Sequence, residues 1–236
     1  MCFSATASFI SGTALCVIGV ATLKQTRSTN EIPFALIPLL FGIQQLTEGV
    51  IWLSFSYNIP VLRQVMTYIY SLFSHFVWPI YVPFAIGIME VVKWRKKALL
   101  VLLVLGVIVG LFLLYWITAG PLNAEIISHH IVYVSPHFYS VPAMILYFTA
   151  TCISCFFSSH GFIRLLGVLL VLSLIGAQIA HSVALVSIWC FFAAILSLLV
   201  YLHLRFRDSG WGQNKLTIIP KGSKAHHKRN ALMIYL

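Results

Sequence analysis

KALLVLLVLGVIVGLFLLYWIT, residues 97–118, decides the class of fold. After Lys97 it carries no charge, and it is long enough to cross a membrane. A helix needs about 20 apolar residues to span the hydrocarbon core. Six other runs have the same character, at 5–23, 33–56, 66–91, 138–157, 162–182 and 185–204. Polar breaks separate them: KQTRSTNE, SYNIPVLR, KWRKK, ITAGPLNAE and SSHGF. The sixth and seventh runs are joined tightly between Ser182 and Ser187.

Composition points the same way. The 236 residues are 60% hydrophobic and 8% charged, and mean hydropathy is +0.96. A compact soluble fold must wet most of its surface, and this chain has too little polar surface to do so. The net charge of +10 reads as membrane topology rather than nucleic-acid binding. Lys24, Arg27, Lys93, Arg95, Lys96, Lys97, Arg164 and the seven basic residues after Leu204 fall on one side of seven spans. Only Arg63 falls on the other, which is a strong positive-inside pattern. The expected architecture is all-α and polytopic: a seven-transmembrane-helix bundle over 1–204, N-terminus out and C-terminus cytoplasmic. A basic tail, 205–236, follows, with the cluster KGSKAHHKR; it is expected to be disordered and drawn to anionic lipids.

No basic residue precedes the first apolar run, so the first helix is expected to be retained rather than cleaved as a signal peptide. The five cysteines, Cys2, Cys16, Cys152, Cys155 and Cys190, sit in apolar surroundings and do not read as a disulfide framework. Cys152 and Cys155 read as small apolar residues rather than a redox pair. No glycine-rich phosphate loop is present.

The polar residues inside the runs carry the functional argument. In FGIQQLTEGVIW, residues 41–52, Gln44 and Glu48 are i and i+4, and Gln45 and Glu48 are i and i+3. All three share a helix face, with Glu48 roughly 6 Å to the outer side of the midplane at 1.5 Å per residue. The third run adds Ser71 and His75, followed by Trp78, Pro79 and Pro83, whose missing N–H groups free carbonyls and kink the helix. The sixth run adds Gln178 and His181. Ser187, Trp189 and Cys190 begin the seventh, and Ser4, Ser8 and Ser11 line one face of the first. The loop from Gly120 to His137 adds Glu125, His129, His130 and His137. Its centre, AEIISHHIVYV, predicts a short hairpin or a segment lying against the outer mouth.

Ionisable groups within spans usually face the bundle interior or a cavity. Their shared depth predicts an outward-opening polar pocket built on Gln44, Gln45, Glu48, His75, Gln178 and His181. Three uses fit such a cluster. It binds or transports a small polar ligand, ion or lipid head group. Alternatively, Glu48, His75, His130 and His181 hold Zn²⁺ in a lipid-modifying hydrolase, or Glu48 and His75 act as a metal-free acid/base pair. Or the polar groups simply join helices, at about 0.6 kcal/mol per contact.

Five stretches, MCFSATASF, FGIQQLTEGVIW, HFVWPIYVP, SSHGFIRLLG and VSIWCFFAAILS, together resemble an uncharacterised bacterial integral membrane protein family, a domain of unknown function. The resemblance runs from end to end apart from the basic tail. It implies a multi-pass protein of the bacterial inner membrane and brings no chemistry with it.

Overall fold

A computed structural model describes residues 4–127, 130–134, 140–180 and 185–207. Among them, six helices are long and apolar enough to cross a bilayer. They are α1 (Ala5–Leu23), α2 (Thr29–Ser56), α3 (Pro60–Met89), α4 (Lys93–Ala119), α6 (Gly161–Ala180) and α7, which runs as Leu185–Leu196 and Leu198–Phe206. The fifth predicted run forms a shorter apolar helix, α5 (Val141–Phe156), which falls below the length of the other six. Its middle, Thr149–Ile153, is a π-helical turn. The architecture is that of an all-α polytopic membrane protein. The 120–137 loop contains the predicted hairpin: β1 (Asn123–Ile127) pairs antiparallel with β2 (His130–Val134). The tail beyond Arg207, with Cys2, His129, His137 and His181, lies outside the described residues.

Helix ends follow local chemistry. Ser4 caps α1, its hydroxyl accepting from the Ala7 amide at 3.3 Å. Asn58 reverses the chain at φ 51°, a left-handed conformation its short polar side chain tolerates. Pro60 then opens α3, where a missing amide costs nothing.

Two seams of small residues set the helix spacing. α1 and α2 run antiparallel, with bare backbone at Gly12 and Gly19 on one side and at Gly42 and Gly49 on the other. A Cβ on Gly42 would lie 2.7 Å from Cys16 Sγ, and one on Gly19 would lie 2.6 Å from the Leu39 backbone nitrogen. Without a hydrophobic drive between helices in lipid, such close approach supplies the dispersion contacts that hold them. The second seam joins α3 to α4. Pro83 has no N–H, so the Pro79 carbonyl lacks its usual partner one turn on. Gly106 brings bare backbone against that carbonyl: a Cβ there would fall 1.9 Å from Pro79 O. Pro79 in turn leaves the His75 carbonyl without an i+4 amide, and the helix takes a π turn at Leu72–Val77, just before it.

α2 is the central helix. Along its most apolar stretch 67% of the residues are buried, against 28% in α1 and 28% in α6. Along α2 the buried side chains are as often polar as apolar: Gln44, Gln45, Thr47, Glu48 and Ser54 stand beside Ile37, Phe41 and Ile51.

The end of the bundle carrying the α1–α2, α3–α4 and α5–α6 connections is tied by charged groups. Glu90 Oε1 accepts from the amides of Val91 and Val92 at 3.0 and 2.9 Å and from Ser159 Oγ at 2.7 Å. Its Oε2 accepts from the Ser159 amide at 2.6 Å. Burial pushes the Glu90 carboxyl up, but the Ser159 hydroxyl and these three amides outweigh it and hold it below its ordinary value. Arg95 donates to the Ser158 carbonyl at 2.7 Å. Arg207 pairs with Glu31 at 2.5 Å and also donates to the Gln25 carbonyl. The first residues assigned to the tail therefore continue α7 and fold back on the bundle.

Two outcomes test this framework. Gly106→Ala places a methyl against backbone that cannot yield, and is expected to cost about 1–3 kcal/mol. It should lower the unfolding midpoint in detergent, while Gly176→Ala, where nothing lies within 4 Å, should not. Glu90→Gln is expected to destabilise at neutral pH. The folded Glu90 carboxyl titrates below its unfolded value of about 4.3, so its contribution is present above that pH and fades as pH falls through the folded value. Melts from neutral to acid pH should show wild type and variant converging at the acid end.

Candidate functional site

The buried polar face of α2 forms two linked centres. In the first, Gln44 Oε1 accepts from Trp78 Nε1 of α3 at 2.7 Å. Phe41, one turn earlier on α2, stacks on the same indole at 3.9 Å and 16°. Trp78 is thus fixed by its ring face and its N–H at once. The Gln44 amide also meets the Cys190 sulfur of α7, which accepts a hydrogen bond from it.

The second centre is Glu48. Its Oε1 accepts from Ser187 Oγ at 2.6 Å and from Tyr133 OH at 3.3 Å. Ser187 lies in the first turn of α7, and Tyr133 comes from β2. The Tyr133 ring stacks on Tyr70 of α3 at 4.2 Å and 9°. Cys190, one turn beyond Ser187, lies beside Gln44, Tyr70 and Glu48. Glu48 Oε2 accepts no hydrogen bond among the described residues. A carboxylate taken wholly out of water costs several kcal/mol unless a proton or a cation accompanies it. Both described donors, Ser187 and Tyr133, bond the same oxygen.

The hairpin explains the depth of burial. In a strand, residues two apart share a face, so Ile131 and Tyr133 point one way and His130 and Val132 the other. Tyr133 enters the bundle over Glu48, and the hairpin's approach is tied to α3 by Gln64 Nε2, which donates to the Leu122 carbonyl at 2.7 Å. Gln44, Gln45 and Glu48 are 0% exposed, and Ser187 and His75 are 1% exposed. The α2 members of the expected cluster are thus buried, with Tyr133 of the hairpin set against Glu48.

The predicted site residues divide. Gln44, Gln45 and Glu48 do share the buried face of α2. His75 is buried on α3 next to them in depth, within its own set: Nδ1 meets Ser74 Oγ at 2.7 Å, and Tyr147 of α5 donates to the Ser74 carbonyl at 2.5 Å. Gln178 stands apart; it is exposed and lines a groove between α5 and α6. His130 is buried on the face of β2 opposite Tyr133. His181 lies outside the described residues. Among the described residues no three His, Cys, Asp or Glu side chains gather as a metal ion requires. Glu48, His75 and His130 thus do not form a zinc site with one another. Tyr133, Tyr70 and Tyr147 are the members that sequence reasoning missed. A tyrosine among β-branched loop residues signals a strand, not a partner for a distant carboxyl.

The chain belongs to a family of unknown function (DUF6629), whose model matches residues 1–214. Comparison with curated proteins and with solved structures gives no match.

The Ser187–Glu48 bond is expected to couple α7 to α2. A double-mutant cycle of Ser187→Ala with Glu48→Ala should return about 0.6–1.7 kcal/mol, the range of interhelical hydrogen bonds in membranes. The same cycle with Tyr133→Phe, whose bond is longer, should return less.

Proposed function

We propose that this is a seven-span protein of the bacterial inner membrane, N-terminus outward and tail cytoplasmic. Its Glu48 centre binds a cation or a small ligand with N–H or O–H donors, for transport or sensing. Support for the span count is the apolar helix α5 together with the distribution of basic residues. With seven crossings, Arg63 alone among Lys and Arg falls on the outer side. The hairpin then lies outside, and access to Glu48 from that side requires Tyr133 to leave Tyr70.

The observation that carries the reading is the complete burial of an ionisable carboxyl, Glu48, within a membrane-spanning helix. Ser187 and Tyr133 both bond Oε1, while Oε2 is buried with no hydrogen bond among the described residues. Ionisable groups within spans mark ligand and ion paths more often than they mark structure.

Thermal shift with purified protein separates this role from a purely structural one. Sodium, potassium, protons and small primary amines are the first probes. At least one should raise the melting temperature of wild type, and Glu48→Gln should abolish that increment. If Glu48→Gln, Ser187→Ala and Tyr133→Phe lower stability in parallel and leave every probe's increment unchanged, the cluster only joins helices.

A further inference from the structure

α5 and α6 carry facing apolar stripes that do not meet along their whole length. On α5 the stripe begins at Val141 and Met144 and continues to Ile153; on α6 it runs from Val171 through Ile175 to Gln178. Each follows the 3–4 residue spacing that packs one helix against another. At one end the helices do touch: a Cβ on Gly167 would lie 2.7 Å from Cys155 Cβ. Toward the other end a space opens between them, lined by Val141 and Met144 on one side and Leu174 and Gln178 on the other. The result is a wedge of about 570 Å³, closed at Gly167 and Cys155 and open to the side of the bundle.

We infer that this wedge is a binding site for one acyl chain of a membrane phospholipid. Ile145 is 60% exposed and Ile175 is 51% exposed in the span region, so the surrounding medium reaches both walls, and that medium is hydrocarbon. From Val141 to Ile153 the α5 wall covers about 18 Å at 1.5 Å per residue, close to the roughly 15 Å of one leaflet. Gln178 lines the wedge at its open end, level with the start of α5, where a glycerol ester would lie. The wedge is also where α5 departs from regular geometry. Thr149, Cys152 and Ile153 line it and belong to the π turn, a distortion found mostly at functional positions. A chain in the wedge completes the seam that the two stripes leave open, and supplies the dispersion contacts that an empty gap forfeits.

The site is independent of Glu48. Its test uses the full chain in nanodiscs of phosphatidylcholine, with a small fraction of phosphatidylcholine carrying a diazirine at mid-chain. After photolysis, peptide mapping should find adducts on Met144–Ile153 and Val171–Gln178 several-fold above those on Ile10–Val17 and Val101–Ile108, which face lipid on unbroken helix surfaces. Ile175→Trp and Met144→Trp fill the wedge from opposite walls, and each should bring its adducts down to that reference level with the melting temperature kept. Uniform labelling of wild type overturns the inference, as does wedge labelling that survives either filling. If one variant does not fold, the other decides, and the wild-type pattern stands as a test without them.

Discussion

A bilayer provides no hydrogen-bond partner, so every polar group within it must find one in the protein. Glu48 is where that constraint is tightest. One oxygen of its carboxyl accepts from α7 and from the hairpin, so three segments far apart in the chain must be in place together. The ring of Tyr133, whose phenol donates to this carboxyl, stacks on Tyr70 of α3 and so brings a further helix to the centre. The placement of the hairpin follows in turn, with Gln64 holding its approach. The apolar surface of the bundle is interchangeable by comparison: many hydrophobic sequences would cross a membrane, but few would close over this group.

The prolines and glycines solve a related problem in the backbone. Pro79 and Pro83 each remove an amide from α3, and each leaves a carbonyl to be accommodated. One is met by the bare backbone of Gly106, and the other is absorbed by the π turn that carries His75. The same turn places the Ser74 carbonyl before Tyr147, which ties α5 to α3. A defect in one helix thereby becomes the contact that locates another.

Much of the fold was legible. Run length announced the spans, and β-branched residues announced the hairpin at 123–134. Gln44, Gln45 and Glu48 share a face because their spacing requires it. Helix rotation was not legible where a helix is apolar all round. The i, i+3 spacing of Gln178 and His181 defines a face of α6 but not its neighbour. Packing of Gly167 on Cys155 turns Gln178 away from Glu48 and into the α5–α6 wedge. Closure of the Glu48 centre was equally hidden. It depends on one tyrosine 85 residues from the carboxyl, and no local pattern encodes that pairing.

The Ser187–Glu48 bond joins residues 139 positions apart, and it has a consequence for biosynthesis. At about 5–20 residues per second, the ribosome delivers Ser187 on the order of 10 s after Glu48. Until Tyr133 and then Ser187 arrive, α2 resides in or beside the insertion machinery without either of these partners for its carboxyl. The waiting helix is already sealed along one side by α1, through the Gly42 and Gly19 contacts, which form as soon as two helices exist. The order of synthesis thus leaves one lateral opening in the nascent bundle, on the polar face of α2, and the last helix to emerge is the one that shuts it.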